Sequence, residues 1–288
     1  MNDNLVRLRL AVVMLLGIAL VGVWWPLPNA TATNEPVFEV HFLDVGQGDA
    51  ILIEAPDGTT TLIDGGPDTS VLRALGVELP FFTRTIDLVV ATHFDADHIG
   101  GLVDVFARYK VPQLLTIETE HDTPVTRRFL EIIDKRQPEV TYARRGQVFS
   151  LGAGVRLEIL SPASDTTKLE SNTASIVAKL SYGDISFLLT GDAPKGIEEY
   201  LTIAFGEHLQ STVLKAGHHG SRTSTAADFV AEVAPQYAII SAGADNRYGH
   251  PHVEVTDTLF NAGAQVLETA ELGTVSFATD GVRLWLTK

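Results

Sequence analysis

The chain has 288 residues, of which 45% are hydrophobic, so it is long enough to bury a sizeable core within one domain. It contains no cysteine, which excludes disulfides, thiolate metal sites and cysteine nucleophiles. The formal net charge of −15 argues against a broad electrostatic interaction with nucleic acid, because such binding uses a basic surface. A phosphodiester substrate is still compatible with this charge, since bound metal ions reverse the local field.

The N-terminal segment has the pattern of an exported protein. Two arginines precede an uncharged run over 10–25, and Ala30-Thr31-Ala32 offers a small-x-small cleavage site. This pattern predicts a secretory signal peptide over 1–32. A retained membrane anchor is the alternative, although the apolar run is shorter than the ~20 residues of a spanning helix. We therefore expect a linker at 33–36 and an extracytoplasmic folded part, which is secreted, periplasmic or attached to the outer face of the cytoplasmic membrane.

After residue 36, short β-rich segments alternate with helical ones. In the first half, strands are predicted over 37–45, 50–54, 60–63, 86–91, 111–117, 140–142, 147–149 and 155–160. Helices are predicted there over 69–78, from Leu102 onward and over 126–136. A polar loop over 164–171 precedes a predicted hairpin of 173–181 with 185–190. The remaining helices are predicted over 196–204, 226–234 and 253–262, and the remaining strands over 213–215, 238–241, 265–267, 275–278 and 282–286. This distribution predicts an α/β (α+β) domain of two mixed sheets face to face with helices outside.

The densest polar motif is the stretch His93-Phe94-Asp95-Ala96-Asp97-His98-Ile99-Gly100-Gly101. Its two histidines and two aspartates follow a β-branched strand and precede a helix. The four side chains therefore lie on a strand-to-helix loop, where they can converge on one point. Imidazole and carboxylate groups at this spacing suit one or two divalent ions of the Zn or Mn type. The structural alternative is a solvated turn that caps the helix.

Two other strand ends carry residues of the metal-binding type. Gly191-Asp192 and Gly217-His218-His219-Gly220 each follow an apolar strand. The adjacent histidines cannot both be core residues, because neighbouring strand side chains point to opposite faces. The structural alternatives are a plain turn at Asp192 and a surface pair of histidines. The histidines without partners in the sequence are predicted to have no functional role: His41, His121 and His208.

The pattern His-x-Asp-x-Asp-His-x-Gly-Gly after a hydrophobic strand resembles the His-x-His-x-Asp-His signature of the metallo-β-lactamase superfamily. With Asp95 in place of the second histidine, it is similar to the nuclease-like domain of the ComEC competence family. The likeness continues over 42–50, 189–192, 215–221 and 246–251, and so spans nearly the whole chain after residue 36. The resemblance implies a four-layer αββα metallo-β-lactamase sandwich over 37–288.

The resemblance also implies two divalent ions, Zn or Mn with Mg as a further option. The implied ligands are His93, Asp95, Asp97, His98, Asp192 and His218, with Asp192 between the ions and His219 as the competing choice for the last position. Asn172 stands where many members carry a third histidine, and is expected to be a weak ligand or a substrate contact. Such an oxygen-rich site shifts the preference from zinc toward manganese or magnesium. Asp64 is expected to support the metal loop through hydrogen bonds.

The implied activity is hydrolysis of a phosphodiester, with single-stranded DNA among the candidate substrates. A hydroxide held by the ions would attack the ester centre. The groups implied in catalysis besides the ligand Asp97 are His250, His219 and Lys215, which would stabilise the transition state or protonate the leaving oxygen. The implied substrate contacts are Ser221, Asn246 and Tyr248.

Three alternatives stay open at this stage. The same fold could hydrolyse a small molecule such as a phosphocholine ester, a lactone or a β-lactam. The chain could instead be a non-catalytic metal-binding component of an envelope or DNA-uptake assembly. A purely structural domain is the alternative that the clustered ligands favour least. The oligomeric state is not indicated by the sequence.

Overall fold

The computed structural model describes residues 37–288. Strands are numbered in chain order within these residues. They are β1 (Phe38–Phe42), β2 (Ile51–Glu54), β3 (Thr60–Ile63), β4 (Leu88–Val90), β5 (Gln113–Thr116), β6 (Glu139–Tyr142), β7 (Val148–Ser150), β8 (Arg156–Ser161), β9 (Val177–Tyr182), β10 (Ile185–Leu189), β11 (Val213–Lys215), β12 (Tyr237–Ile240), β13 (Gln265–Glu268), β14 (Val275–Thr279) and β15 (Leu284–Leu286).

The helices of the same residues lie between these strands. They are α1 (Ser70–Glu78), α2 (Ala96–Ile99), α3 (Leu102–Arg108), α4 (Pro124–Arg136), α5 (Lys195–Phe205), α6 (Ala227–Val233), α7 (Val253–Asn261) and α8 (Thr269–Leu272). Three short 3₁₀ segments complete the described secondary structure, at Asn172–Ala174, Gly206–Leu209 and Gly217–Gly220.

The strands form two mixed sheets. The eight-stranded sheet has the order β15-β14-β1-β2-β3-β4-β5-β6, and the seven-stranded sheet has the order β13-β12-β11-β10-β9-β8-β7. Strands β3 to β6 are parallel to one another, as are β10 to β13, and the other neighbours are antiparallel. Parallel neighbours need a crossover connection, and α1 to α7 lie in these crossovers.

The main core fills the space between the sheets. The ring of Phe38 on β1 lies 6.2 Å from that of Phe187 on β10, and Phe187 lies 6.0 Å from Phe277 on β14, both in edge-to-face arrangements. A second core forms where α5, α6 and α7 cover the outer face of the second sheet, with Leu188 and Phe229 among its buried members. The predicted αββα sandwich is therefore confirmed.

Several predicted boundaries differ from the structure, and two of the differences have a clear local reason. The strand predicted from residue 173 begins only at Val177, because Asn172–Ala174 form a 3₁₀ turn. The helix predicted from residue 126 begins at Pro124, since the hydroxyl of Thr123 accepts a hydrogen bond from the backbone N–H of Thr126 and caps the first turn.

The predicted signal peptide or anchor over 1–32 and the predicted linker over 33–36 lie outside the described residues. Among residues 37–288, no helix combines the length and the apolar character that crossing a bilayer requires.

Candidate metal centre

The candidate site lies where the carboxyl ends of parallel strands from both sheets meet. In the first sheet, Asp64 follows β3 and His93 follows β4; in the second, Asp192 follows β10 and His219 follows β11. Parallel strands end at the same edge of a sheet, and the loops beyond that edge bring distant side chains together. Side chains far apart in the sequence thus converge on one point.

Asp192 lies at the centre of this convergence. Its Oδ2 lies 3.3 Å from Nε2 of His98, 3.4 Å from Nε2 of His219, 3.8 Å from Nε2 of His218 and 3.9 Å from Nε2 of His93. Two ligand atoms on one tetrahedral ion, with bonds of about 2.0–2.1 Å, lie about 3.3 Å apart. The separations from Asp192 to His98 and His219 match that value.

Two further carboxylates extend the cluster toward solvent. Oδ2 of Asp97 lies 3.4 Å from Nε2 of His219, and Oδ2 of Asp95 lies 3.8 Å from Nε2 of His93. The side chain of Asp95 is 45% exposed, so it lies at the mouth. The donors therefore divide into two groups, one around His93 and one around His219, with Asp192 between them.

Several donor atoms of the cluster are buried and have no hydrogen-bond partner among residues 37–288. They are Nε2 of His93, His98 and His219, Oδ1 of Asp192 and Oδ1 of Asn172. An unpaired buried polar group costs about 1–3 kcal/mol, so several at one point indicate a missing ligand. Imidazole nitrogens and carboxylate oxygens are the donors that zinc and manganese accept. The donor set fits divalent ions.

The other ring nitrogen of two of these histidines fixes the tautomer. Nδ1 of His98 lies 2.8 Å from Oδ2 of Asp64, and Nδ1 of His219 lies 2.9 Å from the carbonyl oxygen of Ser241. A carboxylate and a carbonyl only accept, so each Nδ1 donates and each neutral ring keeps its lone pair on Nε2. Histidines that ligate metals use their second nitrogen in this way.

Asp64 holds the loop that carries these histidines. Its carboxylate accepts hydrogen bonds from the backbone N–H of Thr92 at 2.8 Å, from the hydroxyl of Thr92 at 2.7 Å and from His98. The hydroxyl of Thr92 also lies 3.0 Å from Nδ1 of His93. Asp64 itself has a left-handed backbone with φ of 58°, a conformation that proteins often keep at functional sites. These contacts agree with the supporting role that the resemblance implies.

His218 and His219 differ sharply in position, although they are adjacent. Both have a left-handed backbone, with φ of 48° and 53°. The side chain of His219 is 1% exposed and that of His218 is 27% exposed. Nδ1 of His218 lies 3.0 Å from the hydroxyl of Thr223 and 3.4 Å from Nδ2 of Asn172.

Only one of the two histidines belongs to the compact group of possible metal ligands. The donor atoms of this group all lie within 4.8 Å of one another, and its members are Asp49, His98, Asp192 and His219. The geometry therefore favours His219 for the last ligand position, where the sequence had favoured His218.

Lys215 is fully buried beneath the cluster. Its Nζ donates to Oδ2 of Asp49 and, at 3.1 Å, to the carbonyl oxygen of Gly191. The predicted role of Lys215 at the substrate disagrees with this position, because the ammonium has no exposed surface that could meet a phosphate. Lys215 instead fixes a carboxylate next to the cluster.

Asp49 is a site residue that sequence reasoning did not place among the ligands. Its carboxylate is buried, and Oδ1 lies 3.3 Å from Nδ1 of His219. Burial raises the pKa of Asp49, but Lys215 and His219 outweigh this effect and lower it to about 2. The sequence signals were its place in the stretch 42–50 that carries the resemblance and its position after Gly48, directly before a predicted strand, which also describes an ordinary turn.

The charges of the cluster suit metal binding. Burial lowers the pKa of His93 to about 3, and the neighbouring His98 adds to this effect. Burial raises the pKa of Asp192, but His219 and His98 hold it well below its ordinary value. His93 is therefore neutral and Asp192 ionised at neutral pH, which are the protonation states that metal ligands need. Burial lowers the pKa of His98 and His219, but Asp192 outweighs this effect and raises both well above their ordinary value, so a metal ion would displace a proton from each ring.

Two cavities open from the cluster. The first, of about 200 Å³, is lined by Gln47, Asp95, Asp97, Asp192, His218, His219, Tyr248 and His250. The second, of about 410 Å³, is lined by Gln47, Pro67, Ala96, Asp97, Asp245, Asn246, Arg247 and Tyr248. They share Gln47, Asp97 and Tyr248, so a groove leads from the donor atoms past the loop over 245–250.

Two predicted substrate contacts are occupied within the protein. Nδ2 of Asn246 donates to the carbonyl oxygens of Gly243 and His250, and its Oδ1 accepts the backbone N–H groups of Tyr248 and His250. The buried hydroxyl of Ser221 lies 3.0 Å from that of Thr223. Neither position agrees with the predicted contact to a substrate, because the Asn246 amide stabilises its own loop and the Ser221 hydroxyl is covered.

Tyr248 and His250 do face the groove. Their rings stack with centroids 5.6 Å apart, and the guanidinium of Arg247 lies 5.1 Å from the Tyr248 ring. Nδ1 of His250 is buried without a hydrogen-bond partner. Burial lowers the pKa of His250 to about 4, helped by His219 and His218. His250 is thus neutral at neutral pH, and offers one N–H but no positive charge.

The sequence matches known proteins over most of its length. The family described as Metallo-beta-lactamase superfamily matches residues 43–244. ComE operon protein 3 of Bacillus subtilis is 32% identical over 256 residues, which cover 83% of this chain and 33% of that protein. Competence protein ComA of Neisseria gonorrhoeae is 31% identical over 259 residues, which cover 87% of this chain and 33% of that protein. The chain therefore spans about a third of the length of these curated relatives.

Solved structures share the fold. YhfI of Bacillus subtilis, a metallo-beta-lactamase fold protein, has a TM-score of 0.57 at 14% identity, covering 85% of this chain and 100% of that chain. CmlA, a diiron beta-hydroxylase from Streptomyces venezuelae, has a TM-score of 0.53 at 15% identity, covering 80% of this chain and 52% of that chain. At such identities the likeness concerns the fold alone. The family match covers well over half of the residues, and the chain belongs to the metallo-beta-lactamase superfamily.

Proposed function

We propose that this protein is a metal-dependent phosphodiesterase whose preferred substrate is single-stranded DNA. The observation that carries the proposal is the convergence of three buried, unpaired Nε2 atoms on Asp192, those of His93, His98 and His219. Divalent ions bound there would supply Lewis-acid stabilisation of the phosphoryl oxygens and an activated water.

The division of the donors supports a site for two ions. His93 and Asp95 would hold one ion, and His98, Asp97 and His219 would hold the other, with Asp192 between them. Asn172 and His218 lie beside this set and contact each other at 3.4 Å. The two-ion arrangement suits an ester with a negatively charged phosphoryl group, because the ions offset that charge in a chain of net charge −15.

The groove beside the cluster supports a nucleotide-like substrate. Its larger cavity, of about 410 Å³, falls within the roughly 300–1,000 Å³ of small-molecule sites. Tyr248 offers an exposed aromatic face of the kind on which bases stack, and Arg247 adds a positive charge beside it. The N–H of His250 would donate to a phosphoryl oxygen or to the leaving oxygen.

The names of the relatives favour DNA over other diesters. One relative is named a competence protein, and competence is the uptake of DNA. This chain corresponds to about a third of that protein, so the activity of the whole relative does not transfer as such. The proposal concerns cleavage of DNA and leaves transport aside.

We further propose that the domain acts outside the cytoplasmic membrane, either released or held through residues 10–25. The support is the basic, apolar and small-x-small pattern of the first 32 residues. A reporter fused to the C-terminus should be digested by external protease in spheroplasts. Complete protection of the reporter would contradict this location.

The experiment that tests the function compares substrates for the full chain loaded with manganese or zinc. We expect turnover of single-stranded DNA and of bis(p-nitrophenyl) phosphate, and loss of both with Asp97→Asn. Asp122→Asn, an exposed aspartate on another loop, is the matched control and should keep full activity.

Two outcomes of the comparison would select the alternatives. Turnover of a lactone or a β-lactam without turnover of any phosphodiester would make the protein a small-molecule hydrolase. A folded, metal-loaded protein that turns over none of these substrates would be a non-catalytic metal-binding component of a larger assembly.

A further inference from the structure

We propose a second divalent-cation site, of the zinc type, formed by Glu39, His41 and Glu54 on the outer face of the first sheet. One donor atom from each residue lies within 4.8 Å of the others. Val40 and Phe42 of the same strand point into the core between the sheets, and strand side chains alternate, so Glu39 and His41 point away from that core. The site shares no residue with the cluster around Asp192.

The register of β1 and β2 places two carboxylates opposite each other. Glu39 pairs directly with Glu54, and His41 pairs with Leu52, so His41 is the diagonal neighbour of Glu54. Like charges directly opposite on neighbouring strands destabilise the pairing. A cation between Glu39 and Glu54 would remove this repulsion.

His41 supplies the observation that points to a ligand. The residue is only 6% exposed, and its Nε2 is buried without a hydrogen-bond partner in the described part of the chain. That atom faces the carboxylate pair, at 3.4 Å from Oε1 of Glu54. The other nitrogen, Nδ1, lies 2.8 Å from the hydroxyl of Ser276, the kind of second contact that orients a metal-ligating histidine.

The surrounding charges leave a deficit of positive charge. Oε2 of Glu78 lies 3.9 Å from Nδ1 of His41, and Oε1 of Glu78 pairs with Nζ of Lys288 at 2.6 Å. The three carboxylates of Glu39, Glu54 and Glu78 and the one ammonium of Lys288 sum to −2. Protonation of His41 would offset half of this charge, whereas one divalent cation beside a neutral imidazole offsets all of it.

The donor chemistry and spacing fit zinc. One imidazole and two carboxylates form a ligand set that zinc accepts. The 3.4 Å between His41 and Glu54 is close to the about 3.3 Å between ligands of a tetrahedral ion with bonds of about 2.0–2.1 Å. Glu39 and Glu54 are half-buried, so water can complete the coordination. An ion here would join β1 to β2 and stabilise the folded state by mass action.

The test counts zinc in full-length proteins after dialysis against one free zinc concentration. Elemental analysis is applied to the unaltered chain, His41→Asn, Glu54→Gln and His208→Asn. His208 is the matched control, because its Nε2 contacts Glu158 at 3.0 Å in an exposed pair. We expect His41→Asn and Glu54→Gln each to lose one zinc per chain and His208→Asn to lose none. Equal zinc content in all four folded proteins would overturn the proposal.

A second measurement separates this site from the proposed active site. In an Asp192→Asn background, added zinc should still raise the Tm, and adding His41→Asn should make that rise smaller. A rise of equal size in both would overturn the proposal, whether or not the protein cleaves phosphodiesters. A third measurement uses the unaltered chain, so it does not depend on whether a variant folds. Zinc should shift the ¹⁵N resonance of His41 Nε2. An unchanged resonance at saturating zinc would also overturn the proposal.

Discussion

Nδ1 of His219 donates a hydrogen bond to the carbonyl oxygen of Ser241 over 2.9 Å. This contact leaves the lone pair of the neutral ring on Nε2, which lies 3.4 Å from carboxylate oxygens of both Asp97 and Asp192. His218, the preceding residue, lies at the rim and contacts the hydroxyl of Thr223. One backbone carbonyl thus distinguishes the candidate ligand from its neighbour.

Substitution of the two histidines should separate their roles. We expect His219→Ala to lose at least one of the divalent ions proposed around Asp192. The reason is that Nε2 of His219 and the carboxylate of Asp97 would bind the same ion. His218→Ala should keep its metal content. Elemental analysis of both folded variants decides the matter, and loss of metal from His218→Ala alone would return the ligand role to His218.

His250→Ala should keep the metal but slow the reaction. Its ring lines the cavity beside the donor atoms, so its N–H can donate to a phosphoryl or leaving oxygen of a bound substrate. We expect the rate on a phosphodiester to fall by about 10²- to 10⁴-fold, as for loss of a proton or hydrogen-bond donor. His121→Ala, on an exposed loop, is the control. An emptied metal site in His250→Ala would make His250 a ligand.

Lys215→Met should destabilise the fold strongly. Removing the ammonium leaves the buried carboxylate of Asp49 without its ion-pair partner, which costs about 3–5 kcal/mol in the free energy of unfolding. Urea denaturation of the metal-free protein measures the change in the free energy of unfolding, and Lys168→Met, on an exposed loop, is the control. Asp49→Asn combined with Lys215→Met should recover part of the loss. A single-variant loss below about 1 kcal/mol, the size of an exposed ion pair, would contradict the structure.

Glu198 should make stability depend on pH. Its buried carboxylate accepts the backbone N–H groups of Thr225 and Ala226 at the start of α6. Burial raises the pKa of Glu198 from 4.5 to about 7, so the folded state holds the proton more tightly than the unfolded state. The protonated carboxyl group therefore stabilises the folded state fully when the pH is below the pKa of Glu198 in the unfolded state. This stabilisation is lost as the pH rises through the pKa of Glu198 in the folded state.

The corresponding measurement is the free energy of unfolding at about pH 5 and about pH 8. Between these values the unaltered chain should lose roughly 2–3 kcal/mol more than Glu198→Gln, which has no proton to lose. Glu199→Gln, an exposed neighbour, should behave like the unaltered chain. Parallel pH profiles for Glu198→Gln and the unaltered chain would show that the carboxyl group does not titrate in this range.

The sequence predicted the fold and the proximity of the first candidate ligands because both depend on local patterns. Alternating short strands and helices were enough to predict two sheets. His93, Asp95, Asp97 and His98 lie within six residues on one loop, so their proximity did not require knowledge of the fold.

Other parts of the site depend on contacts that the sequence does not display. The choice between His218 and His219 depends on left-handed backbone at both positions and on a carbonyl more than twenty residues away. The position of Lys215 was missed because its partner, Asp49, lies in the other half of the chain.

The interpretation of Asn246 disagrees with the structure for the same reason, whereas that of His41 stays a prediction. Asn246 uses its amide to close its own loop, which only the loop conformation reveals. His41 was predicted to have no role, because the register that brings Glu39 opposite Glu54 is not visible in the sequence.

The most direct test of the account is a metal titration followed by activity. Metal-free full chain is titrated with manganese or zinc while bound metal and cleavage of single-stranded DNA are measured on the same samples, beside Asp192→Asn. We predict that cleavage is absent without metal, rises in proportion to occupancy of the sites around Asp192, and stays absent in Asp192→Asn. Cleavage of DNA by the metal-free protein, or full activity of Asp192→Asn, would contradict the account.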